Sequence, residues 1–304
     1  FRSVSDDCIG LKVYLAETTG GNNIAVEYGA EVARLWHTAN PEKPVVFHVE
    51  GADTARLLNN IGNLQGSPDA TGGRMNIGRN IPVHIAHVSS RQEMQAVIDA
   101  KQAGLNVTCE VTPHHLFLNE SIPEEIGGYG CMKPNLKSQA DVDFLWTHMG
   151  DIDIFASDCA PHRISDKEKD QPAFGVTNHT IMLPLLLGAV ADDRLSMADI
   201  DRKFCVTPRE RFNLPLDDGS LLSISTDPST YQLTATERDE RAEYGQNPFT
   251  LLEGRFRMLG RIVAAQAGRS IVMADHGSDL LVGYMKTSYT HQLRPKNFKT
   301  GRAE

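Results

Sequence analysis

Four side chains able to bind a metal or move a proton each stand at the end of a short apolar run rich in β-branched residues. They are His48 in VVFHVEG, His87 in VHIAHVSS, Glu110 in TCEVTPHH and Asp158 in FASDCAPH. In a parallel α/β barrel the C-terminal edge of the strands is where active sites are built, so four such groups at four strand ends converge on one mouth. A single histidine after a strand is more often a loop hydrogen-bonder. The coincidence of four is the signal. His84 and His87 are three apart, so on one strand they point to opposite faces, and His87, nearer the C-terminal end, is the better ligand. The same argument separates His114 from His115. In the loop leaving the last run, Asp158 and His162 both come within reach of the mouth, and Cys159 reads as structural.

Lys12 is unexpected in the middle of the apolar run GLKVYL. An ammonium is costly to bury, and the ordinary resolutions are an ion pair, a lowered pKa, a side chain that snorkels to the rim, or covalent modification. Beside histidine ligands, the last option is reaction with carbon dioxide to give an anionic carbamate that bridges two metal ions.

The elements that must position these residues follow from periodicity. Runs at 11–15, 45–49, 83–88, 106–111 and 152–157 read as five buried strands. Helical spacing lies between and after them, at 25–38, 90–103, 138–148, 181–190 and 196–204. Strand alternating with helix implies a parallel sheet with helices outside it, an α/β fold. Gly62 to Asn80, glycine-rich and poor in apolar residues, reads as a long loop or insertion. Beyond about residue 215 the pattern changes to short strands and turns, with a hairpin expected at 260–274. The division is therefore a barrel over 1–215, a small β-rich domain over 216–275 and a polar tail over 276–304.

Composition narrows the class. With 30 basic and 39 acidic residues the net charge is −9, which disfavours a nucleic-acid binder. The longest apolar run, Ile181 to Val190, contains Pro184 and Gly188 and is too short for a membrane span. The five cysteines are odd in number, widely spaced and without a CxxC pair, which fits a reducing, cytoplasmic setting.

The segments GLKVYLAET, VVFHVEG, VHIAHVSSRQE, GLNVTCEVTPHHLFL, MKPNLKSQADVDFLW, IDIFASDCAPH and IMLPLLLGAV, in that order, resemble the dihydroorotase family of the amidohydrolase superfamily. The similarity is greatest to the dihydroorotase domain of the animal multifunctional pyrimidine-synthesis protein. The resemblance implies a TIM-type (β/α)8 barrel with a small β-rich composite domain, and reversible cyclisation of N-carbamoyl-L-aspartate to L-dihydroorotate. It further implies a binuclear Zn2+ centre bridged by carboxylated Lys12. His48 and His87 would hold the second ion, Asp158 would bind the first and act as general acid/base, and Glu110 would bind a further ion. Thr18, Lys133 and His162 would contact the substrate, with Lys133 standing where the family commonly has an arginine. A homodimer and association with aspartate transcarbamoylase are implied as well.

The family's first strand carries a His-x-His pair, and no His-x-His occurs in these 304 residues. Five strands also leave three of a barrel's eight to be supplied, so both deficits place the missing elements ahead of Phe1. If nothing precedes it, the expectation becomes a catalytically inactive dihydroorotase-like scaffold. A related cyclic amidase of the hydantoinase or allantoinase type is the remaining alternative.

Overall fold

The computed structural model describes residues 8–18, 20–68, 74–214, 221–225, 248–252, 255–259, 261–267, 270–275 and 280–282. Strands β1 (Leu11–Tyr14) and β2 (Val45–His48) are followed by a two-stranded hairpin of β3 (Gln65–Pro68) and β4 (Arg74–Asn76), then by β5 (Val83–Ile85), β6 (Val107–Val111) and β7 (Ile154–Phe155). Five of these form one sheet in the order β1-β2-β5-β6-β7, and every pairing in it is parallel. The five sequence-predicted runs supply these five strands.

Helices α1 (Gly29–Ala39), α2 (Ala52–Gly62), α3 (Arg91–Gln102), α4 (Pro113–Phe117), α5 (Ile122–Ile126), α6 (Gln139–Thr147), α7 (Ile164–Lys167), α8 (His179–Ala191), α9 (Met197–Asp201) and α10 (Thr207–Phe212) fill the connections. Local chemistry sets several of their starts. Ser90 and Glu93 form a reciprocal capping box on α3. The Ser138 side chain accepts from Asp141 N at the start of α6, and Thr112 with Pro113 opens α4.

Period-two alternation gives the sheet two unlike faces. Val13, Val45, Phe47, Val83, Ile85, Val107, Cys109 and Val111 are buried. They share one core with Trp36 of α1, Leu57 and Ile61 of α2 and Met94 and Val97 of α3. The alternate residues form rows across the other face. Lys12 pairs with Val46, Val46 with His84 and His84 with Thr108, while Tyr14 pairs with His48 one pleat further on. α8 is buried along Ile181–Ala189 despite Pro184. Gly188 is required there because a Cβ would collide with the carbonyl oxygen of Arg257.

Three features differ from the sequence reading. The 62–80 stretch is not a plain loop: it contains the β3–β4 hairpin and a short 3-10 turn at Gly78–Asn80. The helix expected at 196–204 is α9 continuing through a π turn at Arg202–Val206 into α10. The expected hairpin at 260–274 is present as β9 (Arg261–Ala267) and β10 (Ser270–Asp275). It lies inside a four-stranded antiparallel sheet with β8 (Leu221–Ser225) and β11 (Leu280–Val282). β11 falls within the stretch read as tail, and the rest of that stretch lies outside the described residues.

Candidate active site

Lys12 and Tyr14 of β1, Thr18, His48 of β2, His87, Lys133, Asp158, Ala160, Phe174 and Gly175 surround one cavity of about 120 Å3 at the C-terminal edge of the sheet. Thus six of the sequence-predicted residues, Lys12, Thr18, His48, His87, Lys133 and Asp158, come together.

The buried rings of His48 and His87 are the centre of the arrangement. His48 Nδ1 and His87 Nε2 face each other at 2.9 Å, with the ring planes at 71°. A neutral imidazole has one N–H, so only one ring can donate in this contact. The outer nitrogens, His48 Nε2 and His87 Nδ1, are buried without a hydrogen-bond partner. Burial, reinforced by the charge of Lys12, lowers the His48 pKa to about 4 and holds His87 well below its ordinary value. Both rings are therefore neutral at physiological pH, the state in which imidazole binds metal. Tetrahedral ligands at about 2.0–2.1 Å from zinc lie roughly 3.3 Å apart. A separation of 2.9 Å needs little opening to admit an ion, so this pair fits a metal.

His87 and Asp158 lie just beyond β5 and β7 and adopt left-handed backbone conformations, φ 38° and 44°. Non-glycine residues rarely occupy that region, and such strain costs about 1–3 kcal/mol. Both residues also line the cavity. Burial raises the Asp158 carboxyl to about 6, with the nearby Lys12 charge opposing and Glu110 adding to the rise. Asp158 can thereby hold or release a proton close to neutrality. Lys12 is not sealed within the sheet. Its side chain lies on the open face with Nζ 5.4 Å from the centre of the Tyr14 ring. Surrounding protein lowers its pKa, and the charges of Glu110 and Asp158 oppose that shift.

Two expected residues stand elsewhere. Glu110 accepts from His84 Nε2 at 3.0 Å and is outside the cavity lining, as is His84. Its burial favours protonation, but the His84 contact and the Lys12 charge outweigh that and keep its pKa low. His162 donates from Nε2 to the Phe174 carbonyl at 2.8 Å and is not among the residues lining the cavity. His114 and His115 are both buried packing residues. His114 contacts Asn178, while His115 bridges Thr112 Oγ1 and the Pro134 carbonyl. Cys159 lies 3.2 Å from His179 Nδ1. Among the described residues no group of three or more His, Cys, Asp or Glu side chains is gathered closely enough to hold a metal by itself.

The sequence reading missed the support of the cavity wall. Lys167 is buried and donates to the carbonyls of Cys131, Ala173 and Gly175, each at 2.8 Å. It ties the segment before Lys133 to the segment carrying Phe174 and Gly175. Gly175, at φ 146°, has no room for a Cβ against the Ala160 carbonyl. Lys133 lies above the Phe174 ring at 4.9 Å, and its Nζ is 3.7 Å from Glu17.

No family model matches the chain. Over 292 residues it is 33% identical to the multifunctional protein CAD of Squalus acanthias, covering 91% of this chain and 12% of that protein. A dihydroorotase from Wolbachia of Drosophila simulans is 39% identical over 142 residues, 45% of this chain and 32% of the relative. The chain is similar to dihydroorotases. It spans about a tenth of the multifunctional protein and about a third of that dihydroorotase. Among solved structures, the L-hydantoinase (dihydropyrimidinase) from Arthrobacter aurescens superimposes with a TM-score of 0.71 at 20% identity, over 93% of this chain and 68% of that one. The fold is therefore the α/β barrel architecture shared by hydantoinases and dihydroorotases, of which the five parallel strands form one continuous part.

Proposed function

We propose that the chain is the metal-binding part of a zinc-dependent dihydroorotase, which interconverts N-carbamoyl-L-aspartate and L-dihydroorotate in pyrimidine biosynthesis. The observation that carries the reading is the facing His48–His87 pair in one cavity with Lys12, Lys133 and Asp158, in a chain similar to dihydroorotases. In this reading Lys12, carboxylated by carbon dioxide with loss of a proton, would hold the metal together with His48 and His87. A binuclear Zn2+ centre would supply Lewis acidity and water of lowered pKa.

The chain's own residues do the rest. Asp158, whose carboxyl titrates at about 6, takes the proton of the attacking water and returns it to the departing amide nitrogen. The reverse direction closes the ring. Lys133 and Thr18 line the cavity where the substrate carboxylate would sit, and His162 reaches that carboxylate only if its bond to Phe174 opens. Glu110, bonded to His84, would take a further ion only by exchanging that partner. The small β-rich domain over 216–275, a homodimer, a cytoplasmic location and association with aspartate transcarbamoylase belong to the same proposal. Among the described residues no helix is long and apolar enough to cross a membrane.

Turnover tests the assignment. Dihydroorotate hydrolysis and carbamoyl aspartate cyclisation are expected, with hydantoin and allantoin processed far more slowly. Preference for either of those would make the chain another cyclic amidase, because the metal chemistry is shared and only pocket contacts differ. One observation favours a second reading, an inactive dihydroorotase-like scaffold: among the described residues no group of three or more His, Cys, Asp or Glu side chains gathers closely enough to hold a metal ion. Zinc-loaded protein that turns over neither substrate would decide for it.

A further inference from the structure

Glu93 is 1% exposed, and its carboxylate reaches beyond its own helix. One oxygen, Oε2, accepts from Ser89 N at 2.7 Å, Ser89 Oγ at 3.0 Å and Ser90 N at 3.1 Å. The other, Oε1, accepts from Gly51 N at 2.8 Å. The first set caps α3. The last bond does not: Gly51 belongs to the turn after β2, three residues beyond His48, and Ser89 to the turn after β5, two residues beyond His87.

We propose that Glu93 is a positioning residue for the His48–His87 pair, a single buried carboxylate that locks the two strand-end turns together and thereby holds the two imidazoles in register for a metal ion. The inference rests on reading those histidines as a metal pair.

The physical argument is one of geometry. A side chain's position at a strand end is only as fixed as the turn that follows it. Gly51 at φ 57° is in a region glycine adopts freely, whereas His87, a non-glycine residue, is held at φ 38°. The latter conformation persists only where surrounding bonds over-determine it. Charge-assisted bonds to a buried carboxylate are the strong kind, and here four donors converge on one group. Within hydrogen-bonding range, the Gly51 N–H is the link between the turns that passes through Glu93.

Two substitutions separate bridging from capping. Glu93→Gln keeps the side chain's size but presents one carbonyl oxygen and one NH2. The oxygen satisfies the Ser89–Ser90 cap, and the NH2 then faces the Gly51 N–H, donor against donor. Ser90→Ala removes the side-chain cap to Glu93 N, a bond of 3.3 Å, and leaves the Gly51 bond in place.

The test uses Co2+ as the probe, titrated into the whole chain and read by its visible absorption, together with hydrogen exchange of 49–51 and 87–90. For E93Q, affinity falls roughly 10- to 100-fold, the range seen when outer-shell support of metal ligands is lost, and exchange speeds up in both turns. For S90A, Tm falls while Co2+ affinity stays within about twofold. Equal losses of affinity in the two variants, or unchanged exchange at 49–51 in E93Q, would overturn the proposal. Should E93Q not fold, Glu93→Asp, too short to span both turns, must show the same loss. If the unsubstituted chain takes up no Co2+, the metal-pair reading fails by itself. Exchange then decides the bridge, with faster exchange in both turns of E93Q upholding it.

Discussion

At the scale of single residues, the two buried imidazoles matter most, because burial keeps both rings neutral, so a metal ion held by the facing nitrogens would require only that the one N–H between them shift to an outer nitrogen. His87→Ala is expected to weaken Co2+ or Zn2+ binding by at least the roughly 10- to 100-fold cost of losing outer-shell support, and competition titration against a chelator checks it. Binding within about threefold of the unsubstituted chain would remove His87 from the ligand set. A second prediction concerns His115, buried between Thr112 and the Pro134 carbonyl, whose pKa burial lowers from 6.5 to about 4. As pH falls from 6.5, the unfolded chain takes up this proton before the folded one does. The stability that the neutral ring contributes is therefore complete above 6.5 and is lost progressively down to about 4. At about 1.4 kcal/mol per pH unit the loss is about 3 kcal/mol. His115→Gln, which cannot titrate, should lose that much less between neutral pH and about pH 4 in urea unfolding. Parallel curves for the two proteins would contradict the assignment.

At the scale of elements, the strands were legible because they are short apolar runs, most of them rich in β-branched residues, each followed by a longer segment of different spacing, and α3 was legible because its helical spacing begins at Ser90. The β3–β4 hairpin was not, since its residues have neither alternation nor apolar content and its pairing is irregular. Most of the cavity set was legible as well, His48, His87 and Asp158 from their strand ends and Lys12 from its cost in an apolar run. Lys167 was invisible for the opposite reason. In Ser-Asp-Lys-Glu-Lys-Asp it reads as a solvated charge run, yet it is 3% exposed and its ammonium holds three backbone carbonyls. Only tertiary structure supplies those partners. Burial lowers its pKa to about 8, so the carbonyls hold a cation at neutral pH. Lys167→Met removes that donor from the Ala173 and Gly175 carbonyls, while the Cys131 carbonyl keeps the Gly175 N–H at 3.1 Å, and unpaired buried groups cost about 1–3 kcal/mol each. The expected result is a stability loss of about 3 kcal/mol in urea unfolding and a several-fold rise in KM for dihydroorotate with kcat little changed. A fall in kcat at constant KM would mean that Lys167 does not act through the wall bearing Lys133 and Phe174.

At the scale of the whole molecule, the parallel sheet has β1 and β7 at its edges among the described residues, and a closed barrel needs eight strands. Ile9, Ile24, Tyr28 and Leu35 are exposed on or near β1 and α1, at 57%, 39%, 64% and 42%. An edge strand leaves backbone groups unpaired and exchanges its amides faster than a central strand. Amides of 11–14 should therefore exchange faster than those of 45–48, and equal protection would show that another polypeptide covers the edge. The most direct test of the central claim is metal content by elemental analysis, paired with dihydroorotate hydrolysis in the same preparation. The account predicts bound zinc, turnover, and loss of both when His48 or His87 is replaced by alanine. A preparation that holds no metal and leaves dihydroorotate intact would contradict it.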